Sequence, residues 1–270
     1  MMIHKVFPLG LMLGAAAVVW AGSLAPRIGA VREPDGSVRP LFGLSSNFVV
    51  GEPLPLGPVL AAAFSDKAGL VLRNGRIDLV SPDGSLVASY ATGEAKPIFD
   101  VADGPETAIA WLPSAGRFVR WNGNKFIDSA FDASRLAGSI RTIGLLDSGH
   151  VELLVSNGET LERVCVAIAE GVPVRSEILP ETGEPAFQTG SFVLFHDASG
   201  LELRWPDGAM RTLPIPQTDL VFEKSGKDWL HISSPSAGRQ WMLHLDARNP
   251  ILSELPGAPA VKPAPAEAAK

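Results

Sequence analysis

Arg76–Tyr90, RIDLVSPDGSLVASY, contains two short runs in which apolar and polar residues alternate, joined at Pro82-Asp83-Gly84. Ile77, Leu79, Leu86 and Ala88 alternate with Asp78, Ser85 and Val87. Successive side chains on a strand point to opposite faces, so a period of two marks extended chain. A turn glycine can take positive φ, and the stretch is therefore expected to form a β-hairpin.

Outward from this stretch, the same strand–turn grammar recurs. Five units follow one another: about Val59–Thr92, from Pro97, from Ser139, from Pro185 and from Asp219. Each reads as four short strands separated by turns. The middle turn of each unit carries a glycine, at Gly75, Gly116, Gly158, Gly200 and Gly238, separated by 41, 42, 42 and 38 residues on subtracting their numbers. The third turns align as Gly84, Gly123, Gly171 and Gly208, with Ala247-Arg248-Asn249 in the last unit. Gly29–Leu44 is a further hairpin around Pro34-Asp35-Gly36, and Gly36 is expected to extend the third-turn column backwards.

A period near forty with four strands per unit is the pattern of an all-β β-propeller. One small sheet cannot cover both of its faces, so successive sheets must pack face to face around an axis. The ring must also close, because a free terminal blade would expose an apolar face. The N-terminal hairpin, including Val38–Leu44, is expected to close against the last unit. Five or six four-stranded blades over residues 29–255 are consistent with this reading.

The flanks read differently. Met1–Ala21 has Lys5 near its start, an uncharged apolar run Val6–Val19, and Val19-Trp20-Ala21 as a cleavage site. That is the three-part pattern of a signal peptide, expected to be removed after Ala21 and to leave no stable membrane span; an uncleaved anchor is the alternative. Pro256–Lys270 is rich in Pro and Ala and is expected to be disordered. The 270 residues carry a net charge of −6 and no Lys/Arg cluster, which argues against a nucleic-acid partner. The single cysteine, Cys165, excludes an intramolecular disulfide and sits in an apolar strand pattern, so it reads as a buried hydrophobe.

Ser81-Pro82-Asp83-Gly84-Ser85-Leu86-Val87-Ala88 resembles the SPDG-type repeat of secreted bacterial β-propellers, the TolB-like class included. Pro34-Asp35-Gly36 and Pro206-Asp207-Gly208 repeat its core, and Trp121-Asn122-Gly123 keeps the turn. In that class the motif follows the innermost strand, whereas here it falls at a later turn. The resemblance implies protein-interaction or scaffolding roles in the periplasm and no catalytic residues.

Candidate chemistry is sparse. His196-Asp197, His231 with His244, and Asp100 with Asp103 lack the spacing of metal ligands or of a catalytic pair. Strand-end packing and turn capping account for them. Trp121 and Trp205 hold equivalent positions before the third turn, as blade-packing residues would. The longest connections, Asp128–Ser139 and Leu179–Pro185, place Asp132, Arg135, Glu181 and Glu184 on a candidate polar rim. No cofactor or metal is expected. The reading is an exported, non-catalytic module of the bacterial periplasm or exterior that binds an unknown protein partner. The alternative is a glycan hydrolase or lyase using acidic residues at the channel mouth. A smooth apolar channel lined by Ala61, Ile98 and Leu220 is expected for the module.

Overall fold

The computed structural model describes residues 25–44, 47–94, 96–104, 108–180, 183–246 and 248–255. The expected signal segment and C-terminal tail lie outside them. Six antiparallel sheets follow one another along the chain. The first has three strands, β1 (Arg27–Arg32), β2 (Val38–Leu44) and β3 (Asn47–Val50). The second is β4 (Ala61–Phe64), β5 (Gly69–Arg73), β6 (Arg76–Val80) and β7 (Leu86–Ala91); the third is β8 (Ile98–Val101), β9 (Ala108–Leu112), β10 (Arg117–Trp121) and β11 (Phe126–Ala130). The fourth is β12 (Ser139–Leu145), β13 (His150–Ser156), β14 (Leu161–Ala167) and β15 (Val172–Leu179). The fifth is β16 (Ala186–Thr189), β17 (Phe192–Asp197), β18 (Gly200–Arg204) and β19 (Met210–Leu213). The sixth is β20 (Val221–Gly226), β21 (Trp229–Ser234), β22 (Arg239–His244) and β23 (Ile251–Glu254).

The sheets are the blades of a six-bladed propeller, and the core is divided among the gaps between them. Each gap holds one apolar cluster. Leu70, Leu72, Ile77 and Leu79 of blade two meet Val101, Ala110 and Val119 of blade three. Trp111 and Phe118 of blade three meet Leu153 and Val164 of blade four. Further clusters join blades four to five and five to six. Met242 and Leu255 of blade six pack on Val31 and Leu41 of blade one, whose Ala30 and Val38 meet Phe64, Val71 and Val80 of blade two. The N-terminal hairpin thus closes the ring against the last blade, as the exposed-face argument requires.

Burial on both faces alters the reading of the central hairpin. In β6 every residue after Arg76 is buried, Asp78 included at 0% exposure. Its carboxylate is held by Arg73 Nε and by Ser89 Oγ at 2.5 Å. Leu86 and Val87, on the outermost strand, are each 54% exposed. The alternation of the sequence correctly marks strands, but it does not mark an inside and an outside, because β6, in the middle of its blade, is covered on both faces.

Blade one differs in more than strand number. Glu223 of β20 lies beside Arg32, and Ser225 beside Ala30 and Gly29, so β1 runs antiparallel to β20. The amide of Val59, just before β4, donates to the Gly36 carbonyl at 2.8 Å. The Gly36 turn therefore sits at the end of the ring where inner strands begin. In the other blades the second strand has this direction and the middle turn has this place. Blade one accordingly consists of second, third and fourth strands, and among the described residues it has no inner strand. Gly36 belongs to the middle-turn column, 39 residues before Gly75, and not to the third-turn column, where it would stand 48 before Gly84. Pro34-Asp35-Gly36 and Pro82-Asp83-Gly84 therefore share turn chemistry at non-equivalent turns.

Without an inner strand, β1 and β20 come very close. A Cβ on Gly29 would stand 1.8 Å from the Ser225 carbonyl oxygen, and one on Gly226 would stand 2.2 Å from that of Ile28. Gly29→Ala is expected to cost about 3 kcal/mol or more by forcing this contact apart. Gly93→Ala, with nothing within 4 Å of its Cβ, is expected to change stability by less than about 0.5 kcal/mol. Urea unfolding of the two variants measures the difference.

Candidate functional site

The inner strands enclose a channel of about 360 Å³. Its wall follows from their short sequences, which align as Ala61-Ala62-Ala63, Ile98-Phe99-Asp100, Ala186-Phe187-Gln188 and Val221-Phe222-Glu223. Ala61, Ile98 and Leu220 do line it, as expected. Phe187 and Phe222 stack across the gap between blades five and six with centroids 5.4 Å apart. The expected smooth apolar surface is not what forms, because Arg32, Asp100, Arg141, Glu223 and Lys224 also line the channel.

The polar groups satisfy the free edges of the inner strands. A propeller's innermost strand has one edge with no neighbouring strand to pair, and its buried N–H groups need other acceptors. Asp100 Oδ2 on blade three accepts the Leu145 amide of blade four at 3.0 Å. Thr142 Oγ1 on blade four accepts the Gln188 amide of blade five at 3.2 Å. Glu223 Oε1 on blade six accepts the Ala62 amide of blade two at 3.2 Å. The last bond steps over blade one, which has no inner strand among the described residues. Arg32 Nε donates to the same Glu223 oxygen at 2.8 Å, so three blades meet on one carboxylate.

Glu223 is also the end of a buried polar chain. His231 Nε2 lies 2.9 Å from Gln240 Oε1, and Gln240 Nε2 donates to Glu33 Oε2 at 3.2 Å. The second donation identifies Oε1 as the acceptor for His231 Nε2–H. His231 Nδ1 then faces Glu223 Oε2 at 3.8 Å. Burial pushes the Glu223 carboxyl up, but His231 and Arg32 outweigh it and hold it below the usual carboxylate range. Lys224 extends in another direction. Its Nζ reaches from blade six to Asp100 Oδ1 at 2.8 Å and the Val101 carbonyl at 2.7 Å on blade three, crossing the channel.

The expected rim residues are not assembled into one site. Asp132 caps the short 3-10 turn Ala133–Arg135, accepting the Ser134 amide, and Arg135 lies 3.5 Å from Asp132. Both border a shallow depression beside Glu170 and Val172, between blades three and four. Glu184 lies between blades four and five, bound by Ser156 Oγ at 2.8 Å and by Arg141. Glu181 lies outside the described residues. The Asp128–Ser139 connection is shorter than expected, because Asp128 belongs to β11.

The remaining candidates have structural roles. His231 and His244 do not pair; His231 stands opposite Met242, and His244 stacks on Trp229 at 4.4 Å. Asp100 is engaged by Lys224, and Asp103 accepts the Lys67 amide. Asp197 caps the Ser199 amide. Trp121 and Trp205 pack edge-on against Phe126 and Phe192. Cys165 is buried, and desolvation raises its thiol pKa. Among the described residues, no three His, Cys, Asp or Glu side chains are grouped to hold a metal. The residues that sequence reasoning missed are Arg32, Arg141, Glu223 and Lys224. For Glu223 the signal was the polar third position it shares with Asp100 and Gln188 when the first strands of the units are aligned; Arg32, Arg141 and Lys224 lie outside that column.

No family model and no curated protein matches the sequence. Solved structures do match in fold. A Bacteroides caccae protein of unknown function aligns at a TM-score of 0.53 and 11% identity, over 86% of this chain and 92% of its own. Hydrazine synthase from Kuenenia stuttgartiensis aligns at 0.45 and 13% identity, over 86% of this chain and 81% of its own. PorZ, a surface component of the type-IX secretion system of Porphyromonas gingivalis, aligns at 0.47 and 13% identity, over 87% of this chain and 39% of its own. At these identities the shared property is the propeller fold.

Two outcomes follow from these contacts. Lys224→Met leaves Asp100 in the channel without its cation and is expected to cost about 3 kcal/mol, of which adding Asp100→Asn recovers more than half; a double-mutant cycle by urea unfolding measures both. The second concerns acid. Hydrogen bonds from Ser234 and Ser236 depress Asp219 from its ordinary 3.8 to about 2. Its stabilising contribution is therefore complete above about pH 4 and disappears as pH falls toward 2. Asp219→Ala should flatten the decline of stability between these limits, and the dependence of the urea midpoint on pH would show it.

Proposed function

We propose that the protein is an exported, non-catalytic binding module of a bacterial cell envelope, acting in the periplasm or at the cell exterior. One observation carries this reading: the carboxylates at the channel are already engaged. Of the two that line it, Asp100 holds Lys224 and a backbone amide, and Glu223 holds Arg32 and a backbone amide through Oε1; Glu184, between blades four and five, holds Arg141 and Ser156. A glycosidase needs two carboxyl groups free to reach one substrate bond, one able to give up a proton and the other to attack or activate water. Carboxylates tied to cations and amides serve architecture instead.

The loops support the same reading. The turn joining β5 to β6 is only Asn74-Gly75, with φ of 47° and 69°. Such a turn builds no pocket, whereas a ring of tight turns offers a broad, rigid face to a protein partner. The rim groups Asp132 and Arg135 lie on the connection between blades three and four, where they are exposed.

The test uses the purified mature protein as bait on envelope extract, alongside an Asp132→Arg/Arg135→Glu variant. The expected result is a stoichiometric partner recovered by the parent and reduced at least about tenfold by the variant, as for a rim whose charges steer and orient binding. Turnover of a glycan by the purified protein, lost on Asp100→Asn, would overturn the reading.

A further inference from the structure

We propose that β15 pairs with β15 of a second copy of this chain, joining two fourth blades into one continuous sheet. It is the outer edge of its sheet, beyond β14. It is eight residues long, and every residue from Pro173 to Ile178 is exposed. An outer strand of this length presents unpaired backbone groups and is a template for pairing.

The sequence of the strand selects the partner. Val174-Arg175-Ser176-Glu177-Ile178 is complementary to itself when reversed. In an antiparallel pair centred on Ser176, Arg175 stands opposite Glu177 of the second copy, and Glu177 opposite its Arg175. Ile178 continues the strand beyond these ion pairs, while Val174 is the extra residue of a bulge between the Cys165–Arg175 and Val166–Pro173 pairs and lies at the end of the regular ladder. A two-fold axis through Ser176 generates both ion pairs, as an isologous interface requires. Cross-strand pairs of opposite charge and of apolar residues stabilise sheets, and like charges in the same places oppose pairing.

The exposure agrees with this arrangement. Val174 and Ile178 are 55% and 71% exposed, an unusual state for apolar residues two positions either side of one point. Arg175 and Glu177 are 71% and 53% exposed, and within the chain they form ion pairs with Glu152 at 3.6 Å and with Arg163 at 3.7 Å, beyond hydrogen-bond distance. The other outer strands lack this pattern. β7 and β3 carry no charge, β19 carries Arg211 alone, and Asp128 of β11 and Glu254 of β23 are engaged by Arg117 and Arg239. Pro173 has no amide to donate and Val174 is bulged, so the regular ladder is limited to Arg175, Ser176, Glu177 and Ile178.

A ladder of this size is a small interface, with a dissociation constant on the order of 10 µM. Sedimentation of the mature protein at roughly 100 µM is expected to show a dimer. Glu177→Arg sets arginine against arginine twice and should weaken dimerisation at least about tenfold. The swap Arg175→Glu/Glu177→Arg restores both pairs and should restore the dimer. Independently, Ser176→Cys places two thiols across the axis, where Cα atoms of paired residues lie about 4.5–5.5 Å apart and a disulfide can form. Mild oxidation should cross-link this variant, and should not cross-link Lys125→Cys, which is exposed on another blade. A parent protein that is monomeric at this concentration, a Glu177→Arg variant that dimerises equally well, a swap that stays monomeric, or a Ser176→Cys variant that does not cross-link would each overturn the proposal.

Discussion

The innermost strand of a propeller blade has one edge that faces the axis and cannot be paired by another strand. Its amides are buried, and an unsatisfied buried amide costs about 1–3 kcal/mol. This protein meets that constraint with side chains. Asp100, Thr142 and Glu223 each project from one inner strand and accept an amide from the next. The direction is the same each time, around the ring. These bonds also explain why buried polar residues line the channel of a chain whose interblade clusters are apolar.

The same device makes an incomplete blade tolerable. Blade one offers its second strand where a first strand would stand. The strands on either side then close across the vacancy, with Glu223 bound to Arg32 of blade one and to the Ala62 amide of blade two. Glycines at 29 and 226 permit the approach, and apolar clusters on both faces of blade one hold it between its neighbours. Among the described residues, closure therefore depends on packing, on the Glu223 carboxylate and on the bonds from Ser225 to Ala30 and from Gln240 to Glu33. Lys224 adds a strut across the channel to Asp100. The channel charges and the closure are parts of one structure, which is why they read as architecture and not as a reaction centre.

Much of the fold was legible because repetition amplifies weak signals. One SPDG turn says little, but glycines recurring at 75, 116, 158, 200 and 238 set the blade period, and every strand of those units forms where its pattern placed it. Gly36 was misplaced because Pro-Asp-Gly chemistry looked more informative than spacing. The distance of 39 residues to Gly75 was the better guide. Asp78 and Leu86 show the limit of alternation: both faces of β6 are covered, and β7 lies at the rim, so the polar residue is buried and the apolar one exposed. The site was less legible for a reason of range. Glu223 meets Arg32 across 191 residues, and Lys224 meets Asp100 across 124. Nothing local announces such partners. Only the shared polar position in the inner strands hints that they are needed.

The direct test of this account is site-resolved hydrogen exchange of the parent protein and Glu223→Ala. If the carboxylate closes the ring, the variant should lose protection first in β1, β2, β4 and β20, while β13 and β14, on the far side, keep theirs. Protection unchanged at the Ala62 amide, or lost equally in all six blades, would contradict the account.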